Sequence, residues 1–84
     1  PFTREQAILM MADSVEATSR SLKEYSEASI RNMVNTLIDG MVADGFFREC
    51  PITFRDITYS KTVLIEKLKT IYHTRISYPT LDKN

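Results

Sequence analysis

Apolar residues in the middle of the chain recur at spacings of three and four, and this pattern predicts an α-helix with one apolar face. Ser26 is a good N-cap for this helix, and Asp44-Gly45 marks its end because glycine readily takes the left-handed terminating conformation. We therefore predict a helix over residues 27–44. Gly40 weakens its interior by about 1 kcal/mol relative to alanine, which suggests a close neighbour or a slight bend. The apolar stripe consists of Ile30, Met33, Val34, Leu37, Ile38, Met41 and Val42.

A second helix is predicted before this one, over about residues 4–23. Thr3 and Gln6 have the spacing of a capping box, in which each side chain accepts a hydrogen bond from the backbone of the other. Glu16 precedes Arg20 by four residues, which is the favourable order for an ion pair along a helix. One arc of this helix forms an ordinary core stripe of Ala7, Ile8, Met11, Val15 and Leu22.

The third predicted helix covers about residues 54–77. Thr53 caps it with Asp56 at the third helical position. Tyr78-Pro79 should end it, because the residue before a proline is disfavoured in helical geometry. Phe46 or Phe47, in the preceding connector, should plug the end of the bundle. The helix carries the row Ile57, Lys61, Leu64, Leu68, Ile71 and Arg75, flanked by Phe54, Ile65 and Tyr72.

Three helices with two short connections predict an all-α fold, an antiparallel three-helix bundle. The first helix is unusual because it has apolar or small residues on two sides. One row at 100° per residue contains Asp13, Glu16 and Arg20. The apolar residues beside that row are Leu9, Met10 and Ala17. Such a helix is usually packed against other protein segments on both sides, and a chain of 84 residues is too short to provide both. We therefore expect these apolar residues to find other cover through a dimer or higher oligomer.

Composition argues against several classes of protein. Eleven basic and 11 acidic residues give a formal net charge of zero, so there is no electrostatic signature of binding to a nucleic acid polymer. No helix concentrates lysine and arginine on one face, which disfavours a helix-turn-helix protein. Cys50 is the single cysteine, so an internal disulfide is impossible. No apolar run approaches the length of about 20 residues needed to span a membrane.

Short motifs along nearly the whole chain, in one unbroken register, resemble the HD superfamily of phosphohydrolases. The motifs that look like the end of an HD domain are Thr3-x-Glu5-Gln6-Ala7, Met11-Ala12-Asp13-Ser14-Val15-Glu16-Ala17 and Arg20-Ser21-Leu22. Those similar to the membrane-anchored seven-transmembrane-receptor HD proteins of bacteria are Ile38-x-Gly40, Asp44-Gly45, Glu49-Cys50-Pro51, Thr53-Phe54-x-Asp56-Ile57 and Tyr72-His73-x-Arg75-Ile76-x-Tyr78-Pro79. Tyr25-Ser26 departs from the Pro-Thr turn of that branch, which affects a helix cap rather than the chemistry.

The resemblance implies that residues 1–84 are the C-terminal part of an HD domain in a longer phosphodiesterase. HD domains hold one or two divalent metals with His and Asp side chains, and Asp13 occupies the position of the last aspartate ligand. The implied cofactor is a divalent transition metal, Mn or Fe. The implied substrate is a cyclic dinucleotide, with cyclic di-AMP hydrolysed to the linear dinucleotide by a metal-bound hydroxide. The His-Asp doublet of the family would lie before Pro1.

The 84 residues alone are predicted to bind no metal tightly and to hydrolyse nothing, because one carboxylate with a neighbour three residues away cannot hold a transition metal. Glu16 is more simply a partner of Arg20 than a ligand. Arg20 could steer substrate phosphate, orient Asp13 or form only a structural ion pair. We interpret His73 as a packed or surface histidine, and Cys50 as a small buried apolar residue rather than a nucleophile.

Two classes of function stay open. The first is part of a cyclic-dinucleotide phosphodiesterase at the cytoplasmic face of the bacterial cell membrane, in which only regions outside this soluble fragment contact the membrane. The alternative is a non-catalytic helical interaction module that self-associates through exposed apolar surface. Tyr72 and Tyr78 are interpreted as packing residues rather than platforms for adenine. A His-Asp doublet some tens of residues before Thr3 would favour the phosphodiesterase.

Overall fold

The computed structural model describes the backbone of residues 3–82 and the side chains of residues 3–72. Over this range the chain folds into α1 (Arg4–Ser19), α2 (Glu27–Ala43) and α3 (Phe54–Asp82), with no β-strand. The all-α prediction is therefore confirmed. None of these helices combines the length and the apolar character that crossing a membrane requires.

The helices α1 and α3 run in the same direction. Near the start of both, Arg4 Nη1 lies 3.7 Å from Asp56 Oδ2. At the end of α1, Ser19 Oγ lies 3.2 Å from Tyr72 OH. Because these two contacts are separated by a similar number of residues along each helix, the two axes stay side by side.

The helix α2 runs against the other two. Lys61 Nζ lies 2.6 Å from Asp39 Oδ1, and Lys69 Nζ lies 3.4 Å from Glu27 Oε1. The residue number therefore rises along α3 as it falls along α2. The predicted up-down-up arrangement is confirmed.

The core lies between the inner faces of the three helices and is closed at one end by the α2–α3 connector. Phe47 is the connector residue that plugs this end, whereas Phe46 stays 47% exposed. Ile8 was predicted to be in the core, but it is 39% exposed and lies at the edge of the α1 stripe. The buried apolar residues of the described chain are Ala7, Met11, Val15, Ile30, Val34, Ile38, Met41, Phe47, Ile57, Ile65, Leu68 and Tyr72.

Side-chain caps fix where the helices begin. At α1 the Thr3 backbone N–H donates to Gln6 Oε1 at 2.9 Å, and the Gln6 N–H donates to Thr3 Oγ1 at 3.1 Å. Thr53 and Asp56 form the same reciprocal pair at 3.2 and 3.0 Å. Ser26 Oγ accepts from the N–H of Ser29 at 3.2 Å. These bonds satisfy backbone donors that lack partners inside the helix, and they confirm the three predicted starts.

Two predicted helix ends need correction towards shorter helices. The helix α1 ends at Ser19 rather than at residue 23. Ser19 Oγ donates to the carbonyl oxygen of Glu16 at 2.7 Å, and a serine hydroxyl that bonds a backbone carbonyl one turn earlier slightly destabilises the helix. The helix α2 ends at Ala43, one residue earlier than predicted. Gly45 then takes a positive φ of 83°, as the sequence predicted, because glycine has no Cβ to clash there.

The third correction lengthens a helix. The helix α3 continues to Asp82, so the prediction that Tyr78-Pro79 ends it at residue 77 is wrong. Proline removes one hydrogen-bond donor and disfavours the helical conformation of the preceding residue, but a helix can continue through it with a kink.

Candidate functional site

Asp13 and Glu16 lie on one wall of an open groove between α1 and α3. Both residues are exposed, and they lie one turn apart, so their carboxylates project from the same side of α1. The groove has a volume of about 480 Å³. Its lining comprises Ile8, Ala12, Asp13, Val15, Glu16, Val63, Leu64, Lys67, Leu68 and Ile71.

The groove follows directly from how α1 and α3 pack. Val15 and Leu68 are buried and form its floor. On α3, residues at spacings of four line the opposite wall, namely Val63, Lys67 and Ile71. The sequence therefore places charged groups above an apolar floor, which is the usual composition of a small-molecule site.

The predicted ion pair between Glu16 and Arg20 is present. Arg20 Nη2 lies 3.5 Å from Glu16 Oε2, with the two side chains 72% and 67% exposed. An exposed pair of this kind contributes only about 0.3–0.5 kcal/mol to stability. Arg20 is not among the groove residues, and Asp13 forms no ion pair with any residue in the described part of the chain. The structure therefore assigns Arg20 to Glu16 and not to Asp13.

The described residues do not complete a metal site. They contain no group of three His, Cys, Asp or Glu side chains arranged to hold an ion. Zinc, for comparison, is held by four protein ligands in a structural site and by three in a catalytic one. Asp13 and Glu16 could supply at most two, so further ligands would have to come from outside residues 3–72. The assignment of Asp13 as a metal ligand stays a prediction.

A buried polar contact, which the sequence did not indicate, joins the end of α1 to α3. Ser19 is 1% exposed and its Oγ lies 3.2 Å from Tyr72 OH. The Tyr72 ring stacks on Tyr25, with centroids 4.0 Å apart and planes 7° apart. This burial agrees with the interpretation of Tyr72 as a packing residue. Ser19 follows the core residues Met11 and Val15 at spacings of four. A serine at such a core position is the one feature of the sequence that could have revealed the contact.

The remaining candidate residues from the sequence are Cys50, His73 and Tyr78. Cys50 is half-buried against the core, and its Sγ lies 3.5 Å from the Thr3 carbonyl oxygen. It is therefore less buried than the sequence predicted. His73 and Tyr78 lie outside the residues whose side chains the structure describes.

A second groove, of about 630 Å³, runs between α1 and α2. Gly40 lines it, and a Cβ placed there would meet nothing within 4 Å. The close neighbour that the sequence suggested for Gly40 is therefore missing from the described residues. The groove also contains Met10, Ser14, Thr36, Leu37, Met41, Asp44 and Phe46.

Comparison with known proteins relates the chain to a small part of much longer ones. It is 39% identical over 83 residues to the cyclic-di-AMP phosphodiesterase PgpH of Bacillus subtilis, covering 99% of the chain but 12% of that protein. It is 43% identical over 79 residues to the cyclic-di-AMP phosphodiesterase PgpH of Listeria monocytogenes, covering 94% of the chain and 11% of that protein. A Synechocystis protein named uncharacterized protein slr0104 is 30% identical over 79 residues, covering 94% of the chain and 10% of that protein.

These similarities confirm the resemblance predicted from the sequence, because homologues named cyclic-di-AMP phosphodiesterase cover nearly the whole chain. No protein-family model and no solved structure matches the chain. The membership of the HD superfamily therefore stays a prediction.

Proposed function

We propose that this chain is the C-terminal part of an HD domain in a longer, metal-dependent bacterial phosphodiesterase. The proposed reaction is hydrolysis of cyclic di-AMP to the linear dinucleotide. The observation that carries the proposal is that Asp13 lines an open groove and has no ion-pair partner in the described residues. Homology to two proteins named cyclic-di-AMP phosphodiesterase supports the substrate.

In this proposal Asp13 supplies one ligand of a divalent Mn or Fe ion. The other ligands come from outside residues 3–72, because the side chains that the structure describes supply too few. Such an ion would activate water and stabilise negative charge on phosphorus. The role of the chain itself is to hold Asp13 on a helix whose other face is fixed by the core residues Met11 and Val15.

Glu16 and Arg20 have lesser roles in the proposal. Their exposed ion pair sits one to two turns beyond Asp13 on the same helix. Glu16 also lines the groove, so it contributes negative potential near Asp13 and favours a cation there. Arg20 limits that potential by pairing with Glu16. We propose that the parent protein lies at the cytoplasmic face of the cell membrane and that regions outside this chain contact the membrane.

The test is the substitution Asp13→Asn in the full-length protein, because it removes the charge and keeps the size. We expect hydrolysis of cyclic di-AMP to fall by at least about 100-fold and bound Mn or Fe to fall with it. Asp39→Asn is the matched control, since Asp39 is an exposed aspartate on α2 that pairs with Lys61. Normal turnover and metal content in the Asp13→Asn protein would reject the proposal.

A specific observation also favours the second candidate, a self-associating helical module. Leu9 is 61% exposed and lies beside the acidic row of α1. The other large apolar residues with substantial exposure among residues 3–72 are Ile8, Phe46, Phe54, Tyr59, Val63 and Ile71. Burying such surface in a second copy is favourable by about 25 cal/mol per Å². Sedimentation of the 84-residue chain tests this second candidate, since a monomer at high micromolar concentration excludes self-association through this surface.

A further inference from the structure

The α1–α3 groove has charges of opposite sign on its two walls. Asp13 and Glu16 come from α1, and Lys67 comes from α3. Glu16 is paired with Arg20. Neither Asp13 nor Lys67 forms an ion pair with any residue that the structure describes. The groove therefore offers one unneutralised anion and one unneutralised cation to a ligand.

Lys67 differs in this respect from the neighbouring lysines of α3. Lys61 pairs with Asp39 across the α2–α3 interface at 2.6 Å. Lys69 pairs with Glu27 at 3.4 Å and with Glu66 at 3.2 Å. Both of these lysines therefore already have anionic partners, and Lys61 and Lys69 help to attach α3 to α2. Lys67 faces the other side of α3, where α1 presents no partner to it.

The rest of the lining suits a flat apolar group beside an anion. Ile8, Val63 and Ile71 are all partly exposed along the groove, and aliphatic side chains of this kind pack against the face of a nucleobase. The volume of about 480 Å³ falls within the usual range of small-molecule sites, roughly 300–1,000 Å³. A lysine ammonium is a compact charge that binds phosphate oxygens well.

We propose that Lys67 binds a phosphate oxygen of the cyclic-dinucleotide substrate, with a base packed on the Val63 and Ile71 side of the groove. This inference rests on the proposed function and adds a substrate-binding residue to it. An anionic ligand beside Asp13 and Glu16 is repelled unless cations offset these carboxylates. The metal ion proposed at Asp13 would supply part of that positive charge, and Lys67 adds to it from the facing wall.

The test replaces Lys67 in the full-length protein. Lys67→Gln removes the charge, Lys67→Arg keeps it, and Lys23→Gln removes an exposed lysine charge outside the groove. We expect Lys67→Gln to raise KM for cyclic di-AMP about tenfold with kcat within about twofold. The dissociation constant of cyclic di-AMP from chelator-treated protein should rise about as much, because loss of a charge-assisted hydrogen bond weakens binding before any chemistry.

The control variants separate a phosphate contact from a general effect of charge or folding. Lys67→Arg should restore most of the affinity, and Lys23→Gln should bind as the wild type does. Metal content and thermal unfolding should be unchanged in all three variants. A Lys67→Gln protein with KM and dissociation constant within about twofold of wild type, or an equal loss in Lys23→Gln, would overturn the inference.

Failure of the Lys67 inference can be distinguished from failure of the proposed function. If Asp13→Asn abolishes turnover while Lys67→Gln binds normally, only the role of Lys67 is wrong. If the wild-type full-length protein neither binds nor hydrolyses cyclic di-AMP, both are wrong. If Lys67→Gln weakens binding while Asp13→Asn keeps full turnover, the groove binds the nucleotide but Asp13 is not part of the catalytic centre.

Discussion

The helices α1 and α2 are similar in length and have equally well-buried inner faces, but their outer faces differ. In α2 the deeply buried residues are Ile30, Val34, Ile38 and Met41, and the helix leaves no large apolar residue with substantial exposure. In α1 the buried residues are Ala7, Met11, Val15 and Ser19, and the helix also exposes Ile8 and Leu9.

The difference indicates that the bundle covers the large apolar side chains of α2, whereas it leaves some of those of α1 exposed. An amphipathic helix with one apolar stripe is stabilised once that stripe is covered. A helix with apolar residues on two sides gains more from a second partner, and Leu9, which is 61% exposed, lies on the side that has none here. The relatives are about eight to nine times longer than the matched segment, since it covers 12% and 11% of them. A role for α1 in a larger assembly of helices is therefore consistent with its outer face.

The largest effect should come from the shared inner faces. We expect Met11→Ala in α1 and Ile38→Ala in α2 each to lower the free energy of unfolding by about 2–5 kcal/mol, because both side chains are fully buried. Leu9→Ala, at a 61% exposed position, should change it by less than about 0.5 kcal/mol in this chain. Urea unfolding measures all three. An equally large loss for Leu9→Ala would indicate that self-association already covers the outer face of α1.

The next largest change in stability should come from the polar contacts that join α1 and α2 to α3. Tyr72→Phe keeps the ring stacked on Tyr25 but removes the hydroxyl that contacts Ser19, so we expect a loss of about 1 kcal/mol. Asp39→Asn removes the exposed α2–α3 bridge to Lys61 and should cost no more than about 0.5 kcal/mol. Chemical denaturation of both variants tests this order. A reversed order would mean that the surface bridge holds the bundle more firmly than the buried contact does.

A smaller effect, of opposite sign, is expected at Gly40. Gly40→Ala should stabilise the 84-residue chain by about 0.5–1 kcal/mol, because the added Cβ meets nothing within 4 Å and alanine favours a helix. Thermal unfolding of the chain and of the full-length protein provides the comparison. Destabilisation confined to the full-length protein would indicate that another segment approaches α2 at this groove.

The smallest effect should appear as a dependence on pH at the start of α2. Hydrogen bonds from Arg31 and Lys69 hold the pKa of Glu27 below its ordinary value of 4.5. A carboxylate with a lowered folded-state pKa contributes stability above its unfolded pKa and loses that contribution as pH falls through the folded value. The stability difference between wild type and Glu27→Gln should therefore be constant near pH 7 and vanish progressively below pH 4.5. A difference that persists at pH 2 would exclude this ionic origin.

Helix starts and the core stripe of α2 were predictable because their causes are local. A capping box joins residues three apart, and a 3.6-residue period is visible without any partner. The end of α1 was not predictable in this way, because Ser19 is buried against Tyr72, which lies 53 positions further along the chain. The exposure of Ile8 also depended on where α3 packs. The candidate site was predicted as a row on α1, but its facing wall, including Lys67, was not.

The sequence by itself determined three capped amphipathic helices, their order and the acidic row of α1, because propensity, capping and periodicity act between near neighbours. Only the tertiary structure decided that α3 lies beside that row and turns it into one wall of a groove. It also decided that Lys67 faces the groove while Lys61 and Lys69 face α2. The physical reason is that packing joins residues distant in sequence, and a helix with two apolar sides does not specify locally which side its neighbours will cover.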